Sequence, residues 1–278
     1  MPRQNLPRKL YRRVRERRAK QEESRFQPAL RFDPDAPEIL LSPHWDDAVL
    51  DCWSLLTSGR ELTVVNVFAG TPAPGRLTLW DAVTGATDSA QRAGERRAED
   101  ALALARAGRQ PVSLPFLDSQ YRSGASPTLE QIDGAVSAEL ARAAHVYAPA
   151  GLGSHPDHLL TRRYGRMLAR AGMPVTLYAE LPYCVMHGWP HWVDGRDRDP
   201  HRNVDAFWQS YLDGVPEMPT LRSAHVERLE DAPASAKLEA MACYATQFPA
   251  LDGGAARLLS NPAIHRFEVR WRLAAAAG

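Results

Sequence analysis

Two short segments of the chain combine histidine with carboxylates. SPHWDD follows the apolar run EILL and contains His44, Asp46 and Asp47, and SHPDH contains His155 and His158. His44 and Asp47 are three residues apart at a change from strand to helix, so both side chains can point into one space. With His158 from the second segment, they would give a metal ion three protein ligands and leave a position for water. This arrangement is typical of a catalytic zinc site.

The remaining members of the two segments suit hydrolysis at such a metal. Imidazole and carboxylate ligands favour Zn²⁺, with Fe²⁺ and Mn²⁺ as alternatives. Zinc lowers the pKa of bound water to about 7 and so supplies a nucleophile. Asp46 need not bind the metal and could act as the general base that takes the proton from this water. His155 could donate to the developing oxyanion. Together these groups predict an amide hydrolase.

Each segment taken alone has a simpler explanation. Asp is favoured at the N-cap of a helix, so Asp46 or Asp47 could serve only to start the helix that follows. A lone His155 or His158 could be a surface or capping residue. The occurrence of both segments, each after a strand, favours the metal site.

Strand and helix patterns alternate along the chain, which favours an α/β fold with a mainly parallel sheet flanked by helices. In such sheets ligands bind beyond the carboxyl ends of the strands, so we expect the active site at the C-terminal edge. The loop 71–88 follows a strand at this edge, and the pattern becomes irregular over 184–230. The predicted strands are 38–43, 61–70, 110–117, 145–150 and 175–181, and the predicted helices are 46–59, 89–108, 128–144 and 156–172.

Composition limits the class of protein. Hydrophobic residues make up 44% and charged residues 24% of the 278 residues, which is usual for a globular protein. We find no apolar run of about 18 residues that would predict a membrane-spanning helix, and no secretory signal. The three cysteines are widely spaced and predict neither a disulfide framework nor a cysteine metal site. These features favour a cytoplasmic protein.

The N-terminus differs in charge from the remainder. Residues 1–24 contain nine Lys or Arg and three Glu, a net charge of +6 in a chain of net charge +1, so the remainder has about −5. We expect a basic extension and linker over 1–36 and a catalytic domain over 37–278. The basic segment could bind an anionic membrane surface or a protein partner, or could be a solvated helix on the domain. The acidic remainder argues against nucleic acid as a substrate.

The two motifs resemble the signatures of the PIG-L/LmbE-like deacetylases. SPHWDDAVLDC and GSHPDH carry the resemblance, and it extends through VVNVFAGTP, RRAEDALALARAG, LPFLDSQYR, LYAELPY and KLEAMACYATQ, over roughly 37–275. The resemblance implies a Rossmann-like α/β domain and a zinc-dependent enzyme that removes N-acetyl groups from N-acetylglucosaminyl compounds. Its substrate would be an N-acetylated sugar or glycoconjugate.

The resemblance also assigns roles to single residues. The positions of the metal ligands match His44, Asp47 and His158, that of the general base matches Asp46, and that of the residue stabilising the tetrahedral intermediate matches His155. Arg96 and Asp118 match positions near the substrate or behind the ligands. Arg96 could instead form a surface salt bridge, and Asp118 could be a turn residue or could orient His155.

The sequence departs from the family pattern beside the ligands. Trp45 stands where the family often has proline, Ala48 where it often has glutamate, and Asp51-Cys52-Trp53 where glycine is common. The ligands and the base are present, so the reaction is expected to be retained. A large Trp45 beside the metal would alter the substrate pocket.

Other functions remain open on the sequence alone. The same site could hydrolyse a non-acetyl amide, such as a thiol conjugate, an antibiotic or a lipid-linked intermediate. A non-catalytic binding protein could also keep the fold.

Overall fold

The central sheet has seven strands. A computed structural model describes residues 8–213, 215, 218–252 and 257–274. The strand order is β4-β3-β2-β6-β7-β9-β8, and the separate strands β1 and β5 pair in parallel. The strands are β1 (Arg31–Phe32), β2 (Glu38–Ser42), β3 (Leu62–Asn66), β4 (Pro111–Ser113), β5 (Arg142–Ala143), β6 (Val146–Pro149), β7 (Val175–Tyr178), β8 (His225–Arg228) and β9 (Phe267–Arg272).

Helices connect the strands and cover the sheet. They are α1 (Arg8–Arg25), α2 (Asp47–Asp51), α3 (Trp53–Leu56), α4 (Leu79–Val83), α5 (Ser89–Ala105), α6 (Leu129–Glu139), α7 (Pro156–Arg170), α8 (His191–Asp194), α9 (Val204–Leu212), α10 (Asp231–Met241) and α11 (Phe248–Leu251).

The parallel part of the sheet confirms the predicted α/β fold. The five predicted strands correspond to β2, β3, β4, β6 and β7, and every pairing among them is parallel. Residues 39–42 and all of β6 are buried, as in strands covered on both faces. This burial explains why these strands appear in the sequence as unbroken apolar runs.

The chain order reverses beside β2. From β2 the chain moves outward through β3 to β4, and then returns to place β6 on the other side of β2. Ile39 pairs with Val146 and Leu40 with Tyr147, so the carboxyl ends of β2 and β6 lie side by side. The segments SPHWDD and SHPDH leave these two ends. In an open α/β sheet this reversal point is where ligands bind.

The helix predicted over 46–59 is interrupted at Cys52. The carboxylate of Glu268 accepts hydrogen bonds from the backbone N–H groups of Trp53 and Ser54 at 2.7 and 3.1 Å. It therefore caps the start of α3. This partner is 215 residues away in the chain, so no local pattern could show the break.

The region beyond residue 184 is more regular than its sequence pattern suggests. Helices α8 and α9 and strand β8 lie within 184–230, and β9 pairs antiparallel with both β7 and β8. The predicted loop 71–88 also contains α4, whose N-cap Thr78 accepts a hydrogen bond from the backbone N–H of Asp81.

The N-terminal helix packs on the domain. Arg163 on α7 lies 2.7 Å from Glu23 and 2.9 Å from Glu22, and Phe26 and Leu30 are buried in the main core. Residues 1–7 of the predicted basic extension lie outside the described part of the chain. Within that part, no helix is both long and apolar enough to cross a membrane. The division of the chain at residue 37 stays a prediction.

Candidate active site

The turn after β2 is shaped by its own side chains. The Ser42 hydroxyl donates to the backbone oxygen of His44 at 2.6 Å and accepts from the backbone N–H of Ala48 at 3.1 Å. The backbone N–H of His44 donates to Asp47 Oδ2 at 2.7 Å. These bonds satisfy backbone groups at the start of α2 and bring His44 and Asp47 to the same side of the turn.

The structure brings the three predicted metal ligands together. His158 Nε2 lies 3.3 Å from His44 Nδ1 and 3.5 Å from Asp47 Oδ1, and His44 Nδ1 lies 3.4 Å from Asp47 Oδ2. All three side chains are buried. Two imidazoles and a carboxylate therefore converge on one point between the ends of β2 and β6.

Each of these two imidazoles has a carboxylate on its other nitrogen. His44 Nε2 lies 3.2 Å from Asp157 Oδ2, and His158 Nδ1 lies 3.1 Å from Glu180 Oε1. Such pairs fix the orientation of metal-binding imidazoles and the nitrogen they present. Glu180 also accepts from the backbone N–H groups of Gly151 and Leu152, so it holds the loop that leads to His158.

Sequence reasoning missed both of these carboxylates. Asp157 lies inside SHPDH, and Glu180 follows β7, so the rule that picked out residues after parallel strands could have found them. Asp118 is a further candidate for orienting His155. Its carboxylate lies 3.9 Å from His44 Nε2 and within 4.8 Å of a ring nitrogen of His155, and it accepts from the backbone N–H of Gln120.

The charge around the imidazoles suits a bound cation. Burial alone would lower the pKa of His44, but Asp118, Asp157 and Asp47 raise it well above its ordinary value. Asp47 and Glu180 likewise raise the pKa of His158 against the effect of burial. The buried carboxylates therefore stabilise positive charge at this point, which a divalent ion would supply.

Two other sets of possible ligand atoms both include His44 and His155. Atoms of His44, His155 and His158 lie within 4.8 Å of one another, and so do atoms of His44, Asp118, His155 and Asp157. The residues present thus fit a divalent metal ion, with either Asp47 or His155 as the third ligand.

His155 is placed as a neutral donor beside this cluster. Its Nδ1 accepts from the backbone N–H of Asp157 at 3.4 Å, as the N-cap of α7. Burial, together with His44 and His158, lowers its pKa to about 4. The ring is therefore uncharged near neutral pH. With Nδ1 as an acceptor, the proton lies on Nε2.

Asp46 has the acidity of a group that can exchange protons near neutral pH. Burial and the neighbouring charge of Asp47 raise its pKa to about 6, although Arg96 opposes the shift. The pKa of Asp47 shifts in the opposite direction. Burial alone would raise it, but His158 and His44 lower it below its ordinary value. Two adjacent carboxylates thus differ in proton affinity, as a ligand and a base should.

Arg96 reaches the site from α5. Its Nε donates to Gln247 Oε1 at 2.6 Å, one terminal nitrogen lies 3.8 Å from Asp118, and that buried nitrogen has no hydrogen-bond partner among the described residues. The ring of Trp45 lies against Arg96, 5.5 Å from the guanidinium carbon, and is only 1% exposed. Trp45 is thus buried behind Arg96.

A cavity of about 260 Å³ opens over the cluster. Besides the residues already described, its lining includes Trp80 from α4 and Tyr183 from the segment after β7. The predicted loop 71–88 therefore contributes a wall. The full lining is His44, Asp46, Asp47, Trp80, Arg96, Asp118, Gln120, His155, His158, Leu181, Pro182, Tyr183 and Leu251.

A larger cavity of about 530 Å³ lies among residues 187–205. It is lined by residues of this one stretch of chain, and none of the metal-site residues contributes to it. The smaller cavity is the better candidate because buried groups with shifted pKa values converge there.

Comparison with a protein-family model matches the part of the chain that contains both histidine segments. Residues 39–169 match the family model described as PIG-L, GlcNAc-PI de-N-acetylase. The chain therefore resembles the PIG-L family over this segment, which is slightly less than half of its length. The matched segment begins in β2 and ends in α7, so it includes both histidine segments and confirms the family resemblance.

Two curated proteins resemble this chain, and both are named 2'-N-acetylparomamine deacetylase. The protein from Streptomyces fradiae is 31% identical over 166 residues, which cover 52% of this chain and 57% of the relative. The protein from Niallia circulans is 26% identical over 188 residues, which cover 54% and 68%. The chain thus spans little more than half of the first relative.

Solved structures share the fold over most of the chain. The A40926 pseudoaglycone deacetylase is 26% identical with a TM-score of 0.63, and the match covers 88% of this chain and all of that one. A deacetylase of the teicoplanin biosynthetic pathway, 24% identical with a TM-score of 0.65, covers 87% of this chain and 99% of its own and shows the same fold.

Proposed function

We propose that the protein is a zinc-dependent deacetylase that removes the acetyl group from the amino sugar of a glycoconjugate. The observation that carries the proposal is the convergence of His44, Asp47 and His158 beside Asp46, whose raised pKa suits a general base. The names of the two curated relatives and of the A40926 enzyme support an N-acetylated sugar in an antibiotic or its precursor as the substrate.

The proposed metal ligands are His44, Asp47 and His158. A divalent ion held there would polarise the acetyl carbonyl and lower the pKa of the attacking water. We favour Asp47 over His155 as the third ligand because its carboxylate lies within 3.5 Å of both imidazole nitrogens. Zinc suits this ligand set, and Fe²⁺ or Mn²⁺ are alternatives.

Asp46 acts as the base in this proposal. Its carboxylate takes a proton from the attacking water, and a pKa of about 6 leaves it ionised at neutral pH. The same group then gives the proton to the amine nitrogen as the C–N bond breaks, releasing acetate and the free amino sugar. His155 donates from Nε2 to the oxygen of the tetrahedral intermediate.

The substrate side of the cavity is assigned to Arg96 and Asp118. The uncommitted nitrogen of Arg96 and the carboxylate of Asp118 can bind sugar hydroxyls at the wall of the cavity. Trp45 supports this wall from behind by packing on Arg96. A volume of about 260 Å³ suits one sugar unit, so the rest of a glycoconjugate would lie outside.

A cytoplasmic location stays a prediction. The binding of residues 1–24 to an anionic membrane surface or a protein partner also stays a prediction. The described cysteines are free, in keeping with a reducing compartment.

The test is acetate release from N-acetylglucosamine, N-acetylparomamine and larger glycosides by the zinc-loaded protein. Asp46→Asn should lower kcat by about 10²- to 10⁴-fold with the zinc content unchanged, because it removes only the base. Asp33→Asn, an exposed carboxylate paired with Arg142, serves as the control and should keep the full rate. Equal rates for Asp46→Asn and the unmodified protein would overturn the assignment of the base.

A further inference from the structure

The hydroxyl of the half-buried Tyr183 has no hydrogen-bond partner among the residues that the structure describes. Every buried tyrosine of the described chain donates its hydroxyl proton in a hydrogen bond: Tyr121 to Asp81, Tyr147 to Glu38, Tyr164 to Asp133, Tyr178 to the oxygen of Leu41 and Tyr244 to Asp100. Tyr183 lines the cavity, and no described group hydrogen-bonds to its hydroxyl. A polar group left free at a wall of the active site is available to a ligand.

The ring of Tyr183 is held firmly beside the metal cluster. It packs edge-to-face on His158, with ring centroids 5.5 Å apart. On its other side it lies over Gly153, where an added Cβ would come within 2.3 Å of the ring carbon Cδ1. Gly153 also has φ of +81°, so both the space and the backbone conformation require glycine there.

The chain that carries Tyr183 is anchored as well. Asp51 Oδ1 accepts from the backbone N–H of Leu181 at 2.7 Å, which ties this segment to the end of α2. Glu180, three residues before Tyr183, binds both His158 and the loop at Gly151. Glu180 therefore helps to position both Tyr183 and the proposed ligand His158. Because Tyr183 is already held in place, little conformational entropy is lost when a substrate binds.

The hydroxyl of a tyrosine keeps its proton at neutral pH, because its ordinary pKa is about 10. A hydroxyl that keeps its proton can donate a hydrogen bond. The Tyr183 hydroxyl can therefore offer a substrate a neutral hydrogen-bond donor next to the reacting centre.

We propose that the Tyr183 hydroxyl donates a hydrogen bond to the acetyl oxygen of the substrate as that oxygen becomes negatively charged. It acts as a second donor beside His155 and keeps its own proton throughout. The inference rests on the proposed deacetylase function and adds to it a catalytic residue from outside both histidine segments. A donor aimed at developing charge stabilises the transition state more than the bound substrate.

The variant Tyr183→Phe tests this role because it removes one oxygen and keeps the ring that packs on Gly153 and His158. We expect kcat to fall by about 100-fold, the range seen when one oxyanion donor is removed. KM, the zinc content and the melting temperature should stay the same. Tyr147→Phe is the matched control, since its hydroxyl binds Glu38 away from the cavity, and it should keep the full rate.

A second readout separates transition-state binding from a structural role. The methylphosphonamidate of glucosamine carries a tetrahedral, charged group in place of the acetyl group. Its inhibition constant against Tyr183→Phe should rise by the same factor as kcat/KM falls. An unchanged kcat, or a change confined to KM, would overturn the inference while leaving the deacetylase function intact. No acetate release by the unmodified protein from any N-acetyl amino sugar would overturn both.

Discussion

At the residue scale, two histidines of the proposed metal site are each oriented by a buried carboxylate. His44 is set by Asp157, and His158 by Glu180, so each imidazole presents a chosen nitrogen to the point where the metal is proposed to bind. Asp157 is in turn paired with Arg122. The orientation of the proposed ligands therefore depends on the carboxylates behind them, and these carboxylates should control the metal affinity.

Glu180→Gln tests this control. Glutamine keeps one oxygen for the backbone N–H of Gly151, which like His158 contacts Oε1, and loses the acceptor for the N–H of Leu152, which contacts Oε2. The remaining oxygen is neutral and therefore a weaker acceptor for His158 Nδ1. We expect the zinc affinity to fall by about 10- to 100-fold, measured by competition with a chromogenic chelator. Glu38→Gln, at the opposite end of β2, should bind zinc as the unmodified protein does. An unchanged affinity for Glu180→Gln would show that this carboxylate does not support the metal site.

The types of residue at the site could be predicted, but not the direction of every side chain. His44, Asp46, Asp47 and His158 were found because polar groups after buried strands are rare and distinctive. Trp45 lies inside the same motif, yet it is not among the residues that line the cavity, and its ring packs on Arg96. The aromatic residues Trp80 and Tyr183 line the cavity instead, and Trp80 comes from a segment with no motif.

At the element scale, the site depends on helix α5 being fixed to the sheet. Asp100 on α5 accepts from the side-chain amide of Asn66 at the end of β3 at 2.6 Å, and from the hydroxyl of Tyr244 after α10 at 2.8 Å. This buried link joins three elements and places Arg96, one turn earlier on α5, beside the cavity. The link requires the carboxyl group of Asp100 to be buried away from water, which is unfavourable for its charged form.

The acidity of Asp100 gives a prediction for stability against pH. Burial raises its pKa to about 8, although its hydrogen bonds with Tyr244 and Asn66 oppose the shift. An unfolded aspartate titrates near 3.9. At a pH between these two pKa values, the folded protein keeps a proton on Asp100 that the unfolded chain has lost. The contribution of Asp100 to the free energy of unfolding is therefore greatest below about pH 4. It decreases as the pH rises to about 8, by at most about 1.4 kcal/mol per unit.

Asp100→Asn removes this dependence because an amide does not titrate. In chelator-treated protein, we expect the melting temperature of the variant relative to the unmodified protein to increase from pH 5 to pH 8. Asp33→Asn is the control, because its exposed carboxylate has a lowered pKa and should give no such increase. A difference in melting temperature that stays constant over this range would contradict the assigned acidity.

The elements that were predicted are those with local signals. The parallel strands β2, β3, β6 and β7 are continuous apolar runs, and α7 has a proline and an N-cap at its start. Strand β9 alternates charged and apolar residues, as in FEVRWR, and forms by antiparallel pairing with β7 almost a hundred residues earlier. The break at Cys52 depends on Glu268, another contact distant in the chain.

At the scale of the whole molecule, helix α1 is packed on the domain while its composition remains strongly basic. Arg163 contacts Glu22 and Glu23 and donates to the backbone oxygen of Ala19 at 2.6 Å. Its guanidinium therefore holds the last turns of α1 against α7. Glu22 and Glu23 face the domain at this point, whereas the basic residues Arg17, Arg18 and Lys20 are exposed.

Arg163→Ala should loosen this helix without affecting the active site. The loss of two half-buried ion pairs and a backbone hydrogen bond is expected to raise the rate of cleavage within residues 16–23 by a glutamate-specific protease about tenfold. Acetate release should not change. Arg142→Ala, which removes an exposed pair with Asp33, is the control. A cleavage rate equal to that of the unmodified protein would show that these contacts do not hold α1 in place.

The central claim is that His44, Asp47 and His158 hold a metal ion required for deacetylation. The most direct measurement is acetate release from an N-acetylated amino sugar as zinc is added to chelator-treated protein. The account predicts no release without metal, and activity that reaches its maximum near one zinc per chain. Release that is independent of zinc, iron and manganese would contradict it, as would a protein that binds one metal ion yet hydrolyses no N-acetyl amide.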